Sequence, residues 1–290
     1  MKVQYRRQSV GEVEVFYREA GPPDAPVLLL LHGFPTASHM FRDLIPALAG
    51  DYHVYAPDLP GFGQTVAPAR GRFDYTFDNL AQVIDEFVHV VGLRRYALYV
   101  FDYGAPVGFR LAVAHPERIT AIVSQNGNAY EEGLGDTWET RRAYWREPTE
   151  ANREACRESL RPEMVIGNQY LRGNDADLVS PDGYTLDVAY LARPGLAEIQ
   201  LDLMLDYRTN LARYPEFQAY LRAHQPPLLV VWGRNDASFI PRGAEAFRRD
   251  LPDAELHFVD AGHFALETRV DEIASYMEDF LGRHLPRPAP

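Results

Sequence analysis

Two aspartates and one histidine stand where apolar runs of this chain stop. Asp102 closes "RYALYVFD" (95–102), Asp236 closes "PPLLVVWGRND" (226–236) and His263 closes "AELHFVDAGH" (254–263). Each side chain offers a different chemistry. A carboxylate is already ionised at neutral pH and can displace a leaving group from saturated carbon without help from a base. An imidazole can draw a proton from water, and a second carboxylate can hold that ring in one tautomer and stabilise its charged form. Asp102 is therefore a candidate nucleophile, His263 a candidate base and Asp236 the candidate acid that orients it. The plainer alternative for Asp102 is a cap on the helix-like pattern that follows it, a common use of aspartate.

Such residues need a scaffold that brings distant strand ends together. "VEVFYREA" (13–20) alternates polar and apolar, as a half-buried antiparallel strand does. "APVLLLLHGF" (25–34), "YHVYAPDLPG" (52–61), 95–102, "ITAIVSQNG" (119–127), 226–236 and 254–263 are continuous apolar runs ending in Gly- or Asp-containing loops. Runs of that kind are buried on both faces, as in a parallel sheet flanked by helices. Helical patterns lie between them at about 38–49, 76–91, 104–115, 241–250 and 268–283, with connections short enough for right-handed βα units. The stretch 128–224 differs. It has no strong strand pattern, many aromatics and arginines, and breakers at Pro148, Pro162, Pro181 and Pro194, so it reads as a helical insertion. The division expected is a core of 1–127 and 225–285, a helical cap of 128–224 and a frayed tail of 286–290. In open α/β sheets, chemistry gathers at the C-terminal ends of the strands. Reading those ends alone yields His32-Gly33-Phe34, Asp58, Asp102, Gln125-Asn126, Asp236 and His263.

Composition removes several function classes. The 290 residues carry 29 basic and 41 acidic side chains, a formal net charge of −12, which disfavours nucleic acid and anionic membrane surfaces. Lys2 is the only lysine, so no core lysine is available for Schiff-base chemistry. Cys156 is alone, which excludes internal disulfides and thiolate metal sites and suits a reducing compartment. "MKVQYRRQSV" lacks the apolar stretch of a signal peptide, and no apolar run approaches the roughly 20 residues of a membrane helix. The expectation is a cytoplasmic protein, monomer or homodimer, that meets a small molecule. "GFGQTV" (61–66) imitates a dinucleotide loop but has Val66 where the third glycine belongs.

The ordered motifs resemble the α/β-hydrolase superfamily, in its epoxide hydrolase and haloalkane dehalogenase branch, from about residue 10 to 284. "LLLLHGFPTASHMFRDLIPALA" is similar to the HG-x-P segment and "DLPGFGQT" to the D-x-x-G-x-G-x-[ST] loop. "VFDYGAPVGFRLA" resembles the aspartyl elbow, "VVWGRND" the acid strand and "DAGHFALE" the histidine loop. The resemblance implies a doubly wound, mostly parallel sheet of eight strands, with a helical cap between the sixth and seventh. It also implies hydrolysis through an ester of Asp102, an oxyanion hole from the backbone N–H groups of Phe34 and Tyr103, and no metal or organic cofactor. The elbow departs from the family pattern at Val100, where a small residue is usual, and at Phe101, where histidine is common.

The leaving group is read from the cap. An epoxide oxygen needs an acidic O–H, which relatives supply from two cap tyrosines. "LDYRTN" (205–210) resembles the segment carrying one, which makes Tyr207 the first candidate. "RAYWREP" (142–148) resembles the other, with Tyr144 displaced from the expected position and Arg141 nearer to it. A halide needs N–H donors, for which Trp138, Trp145 and Asn126 are candidates. The two substrate-binding arginines of fluoroacetate dehalogenases are replaced by Tyr103 and Pro106. Epoxide hydrolysis is thus the favoured activity, with carbon–halide hydrolysis the alternative. A serine esterase finds no G-x-S-x-G here, and a ligand-binding protein on a retired core would not need the trio intact.

Overall fold

In the computed structural model, which describes residues 2–285, the strands form one eight-stranded sheet. They are β1 (Gln4–Val10), β2 (Val13–Ala20), β3 (Val27–Leu31), β4 (His53–Pro57), β5 (Tyr96–Val100), β6 (Ile119–Gln125), β7 (Leu228–Gly233) and β8 (Glu255–Val259). Their spatial order is β1-β2-β4-β3-β5-β6-β7-β8. The pairs β1–β2 and β2–β4 are antiparallel, and every pair from β4 onward is parallel. The expected frayed tail, 286–290, lies outside the described residues.

Alternation along each central strand explains why these runs are apolar throughout. Successive side chains point to opposite faces. Leu29, Leu31, Leu98, Val100 and Ile122 join one core, whereas Leu28, Leu30, Ala97, Tyr99 and Val123 join the other. The first core is closed by helices Phe77–Val90, Gly104–Ala114 and Pro241–Asp250, through residues such as Ile84, Phe109 and Phe247. Ile45 and Phe280, from helices Leu44–Leu48 and Leu266–His284, help close the second. Each fully buried Leu, Val or Phe contributes about 1.5–3 kcal/mol, so the sheet is held from both sides.

The pattern expected over 38–49 resolves into a 3₁₀ turn, Ser38–Phe41, and a short helix, Leu44–Leu48. β1 was not among the runs read from sequence. Its pattern, QYRRQSV, is exposed at nearly every position, as suits a charged edge strand that blocks further pairing. The chain from the end of β6 to the start of β7 contains helices and no strand, so the insertion sits between the sixth and seventh strands. Among the described residues, no helix is long and apolar enough to cross a membrane.

Candidate active site

Strand β5 ends at Val100, and the next helix begins at Gly104, so the chain must turn within three residues. Asp102 takes the strain of that turn at φ 45°, a left-handed conformation that aspartate tolerates better than most side chains. Two glycines make the corner possible. A β-carbon on Gly33 would stand 2.3 Å from Asp102 Oδ1 and 2.5 Å from the Tyr103 nitrogen. One on Gly108 would stand 2.5 Å from Val100 Cγ1, so Gly108 provides the room that Val100 takes at this elbow. Phe101 lies against the His263 ring, with centroids 4.7 Å apart.

The three reactive residues from distant strand ends meet. His263 Nδ1 lies 2.7 Å from Asp236 Oδ2, and His263 Nε2 lies 3.6 Å from Asp102 Oδ2. The first is a hydrogen bond and the second is too long to be one. All three are buried, Asp102 at 5% exposure. Asp236 is held firmly: Oδ1 accepts from the Ser238 and Phe239 nitrogens at 2.7 and 3.0 Å, and Oδ2 also accepts from Asn126 Nδ2 at 2.6 Å. With Nδ1–H donated to this carboxylate, Nε2 is the ring atom that faces Asp102, and it is buried without a hydrogen-bond partner. Burial disfavours the imidazolium, but the charges of Asp236 and Asp102 outweigh it and push the His263 pKa up to about 10.

The Phe34 nitrogen donates to Asp102 Oδ1 at 2.6 Å. The Tyr103 nitrogen lies on the same side, next to Gly33. Of the two backbone donors expected from sequence, Phe34 N is bonded to that carboxylate oxygen and Tyr103 N borders the same glycine. His32 supports the loop from below. Its Nε2 accepts from the Leu59 nitrogen at 2.9 Å, so Nδ1 carries the proton and donates to Gly33 O at 3.1 Å. Burial lowers the His32 pKa and keeps that ring neutral. Asp58 accepts from the nitrogens of Ser38 and Gln64, both at 2.7 Å, and ties this loop to the next.

Above Asp102 the aromatic rings form a chain. Phe34 neighbours Tyr103 (5.9 Å between centroids), Tyr103 neighbours Tyr207 (5.7 Å) and Tyr207 neighbours Trp138 (4.6 Å). Trp138 neighbours Phe239 (5.2 Å), and Phe239 returns to His263 (5.6 Å). Core and insertion together therefore contribute one run of aromatic rings from Phe34 to His263.

The cap candidates separate on inspection of their partners. Tyr207 is fully buried, and its hydroxyl lies 3.1 Å from that of Tyr214. Burial first, then the neighbouring Tyr214 and the charge of Asp102, hold the Tyr207 pKa well above its ordinary value, so it stays protonated. Tyr144 lies at a different contact, where its hydroxyl accepts from Arg153 at 3.0 Å. Tyr214, which sequence reading did not single out, brings a second phenol beside that of Tyr207. The signal was there: seven residues after Tyr207 is two helical turns, hence the same face. The indole N–H of Trp138 donates to Ser238 O at 2.9 Å and that of Trp145 to Met204 O at 2.7 Å, so neither is available to a halide. Asn126 directs its amide at Asp236, not at a leaving group.

The model of the alpha/beta hydrolase fold family matches residues 26–270. The chain is 48% identical over 268 residues to the uncharacterized hydrolase YNR064C of Saccharomyces cerevisiae, covering 90% of this chain and 91% of that one. It is 31% identical to haloalkane dehalogenase 2 of Mycobacterium tuberculosis, covering 94% and 93%. It is 27% identical to epoxide hydrolase 2 of Caenorhabditis elegans, covering 95% of this chain and 79% of that protein. With an eight-stranded sheet, an insertion after the sixth strand and these relatives, the chain belongs to the α/β hydrolase fold family, as a hydrolase of the branch that includes haloalkane dehalogenases and epoxide hydrolases.

Proposed function

We propose that this hydrolase opens small, mostly apolar epoxides through a covalent ester of Asp102, under a cap formed by residues 128–224. The observation that carries the reading is the buried Tyr207–Tyr214 hydroxyl pair, 3.1 Å apart, on the cap side of the ring of aromatics around Asp102. Phe34 holds Asp102 Oδ1, which leaves Oδ2 to attack. The Oδ2–carbon bond forms as the epoxide carbon–oxygen bond breaks, and Tyr207 gives its proton to the alkoxide. Esterification removes one of the two negative charges that raise His263, so the imidazolium gives up its Nε2 proton, which restores the Tyr207 phenol, and the neutral ring becomes a base at Nε2. It takes a proton from water, whose oxygen attacks Cγ of the ester. The resulting oxyanion rests on Oδ1 at the Phe34 and Tyr103 nitrogens, where a lost donor typically costs ~3–4 kcal/mol. Collapse breaks the bond from Cγ to the alkyl oxygen, which takes the proton from His263, so the diol leaves and Asp102 returns with one oxygen from water.

Carbon–halide hydrolysis shares the first half of this path and is the activity named for the Mycobacterium tuberculosis relative. It needs N–H donors for the halide, and the three candidates are bonded elsewhere. Incubation with styrene oxide and with 1-bromobutane, scoring diol against bromide, separates the two. Diol release is expected, with Tyr207→Phe slowing it by about 10²–10⁴-fold, the usual contribution of a general acid. Bromide release with styrene oxide untouched would reverse the choice. A pure ligand-binding protein would turn over neither.

A further inference from the structure

Several cap arginines form no ion pair among the described residues, and Arg141 is the one of them whose Nε is buried without a partner. Arg142, Arg153, Arg157 and Arg161 are paired with Glu139, Glu198, Glu154 and Glu158, at 3.6, 2.7, 2.9 and 2.9 Å. Arg141 has no such pair among the described residues. Its Nε is buried without a hydrogen-bond partner, and its guanidinium carbon lies 5.0 Å from the centroid of the Trp138 ring. The Tyr103 hydroxyl is buried and unpartnered too. Of the charges acting on that hydroxyl, Arg141's is the largest, ahead of Asp102's. Tyr103 follows Asp102 directly, and both Tyr103 and Trp138 pack against Tyr207, with centroids 5.7 and 4.6 Å apart. Arg141 also lines a cavity of about 190 Å³ with Thr137, Thr140, Ser159 and Ser238. The one acidic residue on that lining, Glu158, is already bonded to Arg161.

A guanidinium partly withdrawn from water, with an unused donor and no counter-charge, is an unfavourable arrangement unless a ligand completes it. Its planar fork fits a carboxylate, and the bonds it makes to one are charge-assisted and directional. We propose that Arg141, with the Tyr103 hydroxyl beside it, receives a carboxylate on the substrate, so that the preferred epoxides carry an acid group several bonds from the reacting ring. The proposal rests on the reading above for the reacting group and adds the class of molecule that carries it. Arg172, also without an ion pair among the described residues, lines the same cavity and adds positive charge there, against an overall charge of −12.

Two measurements test it together. The first compares kcat/KM for 5,6-epoxyhexanoate with that for its methyl ester, in the wild type, Arg141→Met and Arg141→Lys. The acid-to-ester ratio falls about 10–100-fold in Arg141→Met and is partly recovered in Arg141→Lys. A ratio that stays within twofold overturns the proposal. The second titrates hexanoate, with hexanamide as neutral control, against Trp fluorescence of wild type and Arg141→Met. Hexanoate binding is lost in the variant while hexanamide binding persists, which shows the variant folded. If neither epoxide reacts but hexanoate still requires Arg141, the carboxylate subsite stands and the epoxide reading falls. If the ester is hydrolysed and hexanoate binds both proteins equally, the subsite falls and the reading stands.

Discussion

At Asp236 four donors converge on one carboxylate: His263 Nδ1, Asn126 Nδ2 and the nitrogens of Ser238 and Phe239. These bonds satisfy a carboxylate that is only 3% exposed and fix the imidazole in a single orientation. Asp236→Asn removes the charge and leaves the ring free to rotate, so kcat falls by about 10²–10⁴-fold. Asn126 is bonded to the same oxygen as His263, so adding Asn126→Asp returns a carboxylate to the imidazole and recovers at least about tenfold of that loss. Full turnover in Asp236→Asn alone would remove Asp236 from the mechanism. The proton on His263 also has a thermodynamic signature. Its pKa is raised to about 10 in the folded chain, against about 6.5 unfolded. The stabilisation this represents is complete below pH ~6.5, shrinks as pH rises, and is gone once pH passes ~10. Thermal melts of wild type and His263→Gln across that range will show their Tm difference narrowing toward high pH. A constant difference would mean that the ring is not held as a cation.

The elbow between β5 and the helix Gly104–Ala114 is the element on which the site depends most. Its departure from the common pattern, Val100, is absorbed by Gly108 one helical turn beyond the corner. In Gly108→Ala the new β-carbon meets Val100 Cγ1 at 2.5 Å and Leu98 Cδ2 at 2.9 Å. The overpacking costs about 1–3 kcal/mol, more than the ~1 kcal/mol that alanine gains in a helix. Adding Val100→Ala removes the closest atom, so urea denaturation will find the double variant more stable than the two single effects sum to, by about 1 kcal/mol or more. Additive effects would mean that the contact is not tight. Elements of this kind were legible in the sequence because burial on both faces leaves a continuous apolar run, as in VLLLL of β3 and LLVVWG of β7. β1 escaped for the opposite reason, since its edge position rewards charge and leaves no apolar period. The cap tyrosines were half legible. Tyr207 carries a local motif, whereas the choice of Tyr214 over Tyr144 depends on how cap helices dock, which no local pattern encodes.

Across the whole molecule the insertion is fastened to the core loop that supports the oxyanion donors. Asp187, on the cap helix Pro181–Leu191, is fully buried with His39 Nε2 at 3.0 Å and accepts from the Tyr170 hydroxyl. Gln64 donates to the Tyr190 hydroxyl at 2.8 Å, Arg193 to Gly63 O at 2.6 Å and Gln200 to Gly61 O at 3.0 Å. Apart from the Tyr170–Asp187 bond inside the cap, these contacts join residues more than a hundred positions apart, so composition and spacing could place the cap between β6 and β7 without revealing its seat. With the cap seated, a carboxylate, an imidazole and two phenols from separate parts of the chain are all buried, where charges interact more strongly than in water. The account stands on Asp102 becoming an ester whose own carbonyl is attacked. One turnover of styrene oxide in ¹⁸O-water, with enzyme in excess, tests this in the Asp102-containing peptide by mass spectrometry. The account predicts one ¹⁸O in that peptide and none in the diol. Label in the diol, with the peptide unlabelled, would mean that water attacks the substrate directly, and it would contradict the account.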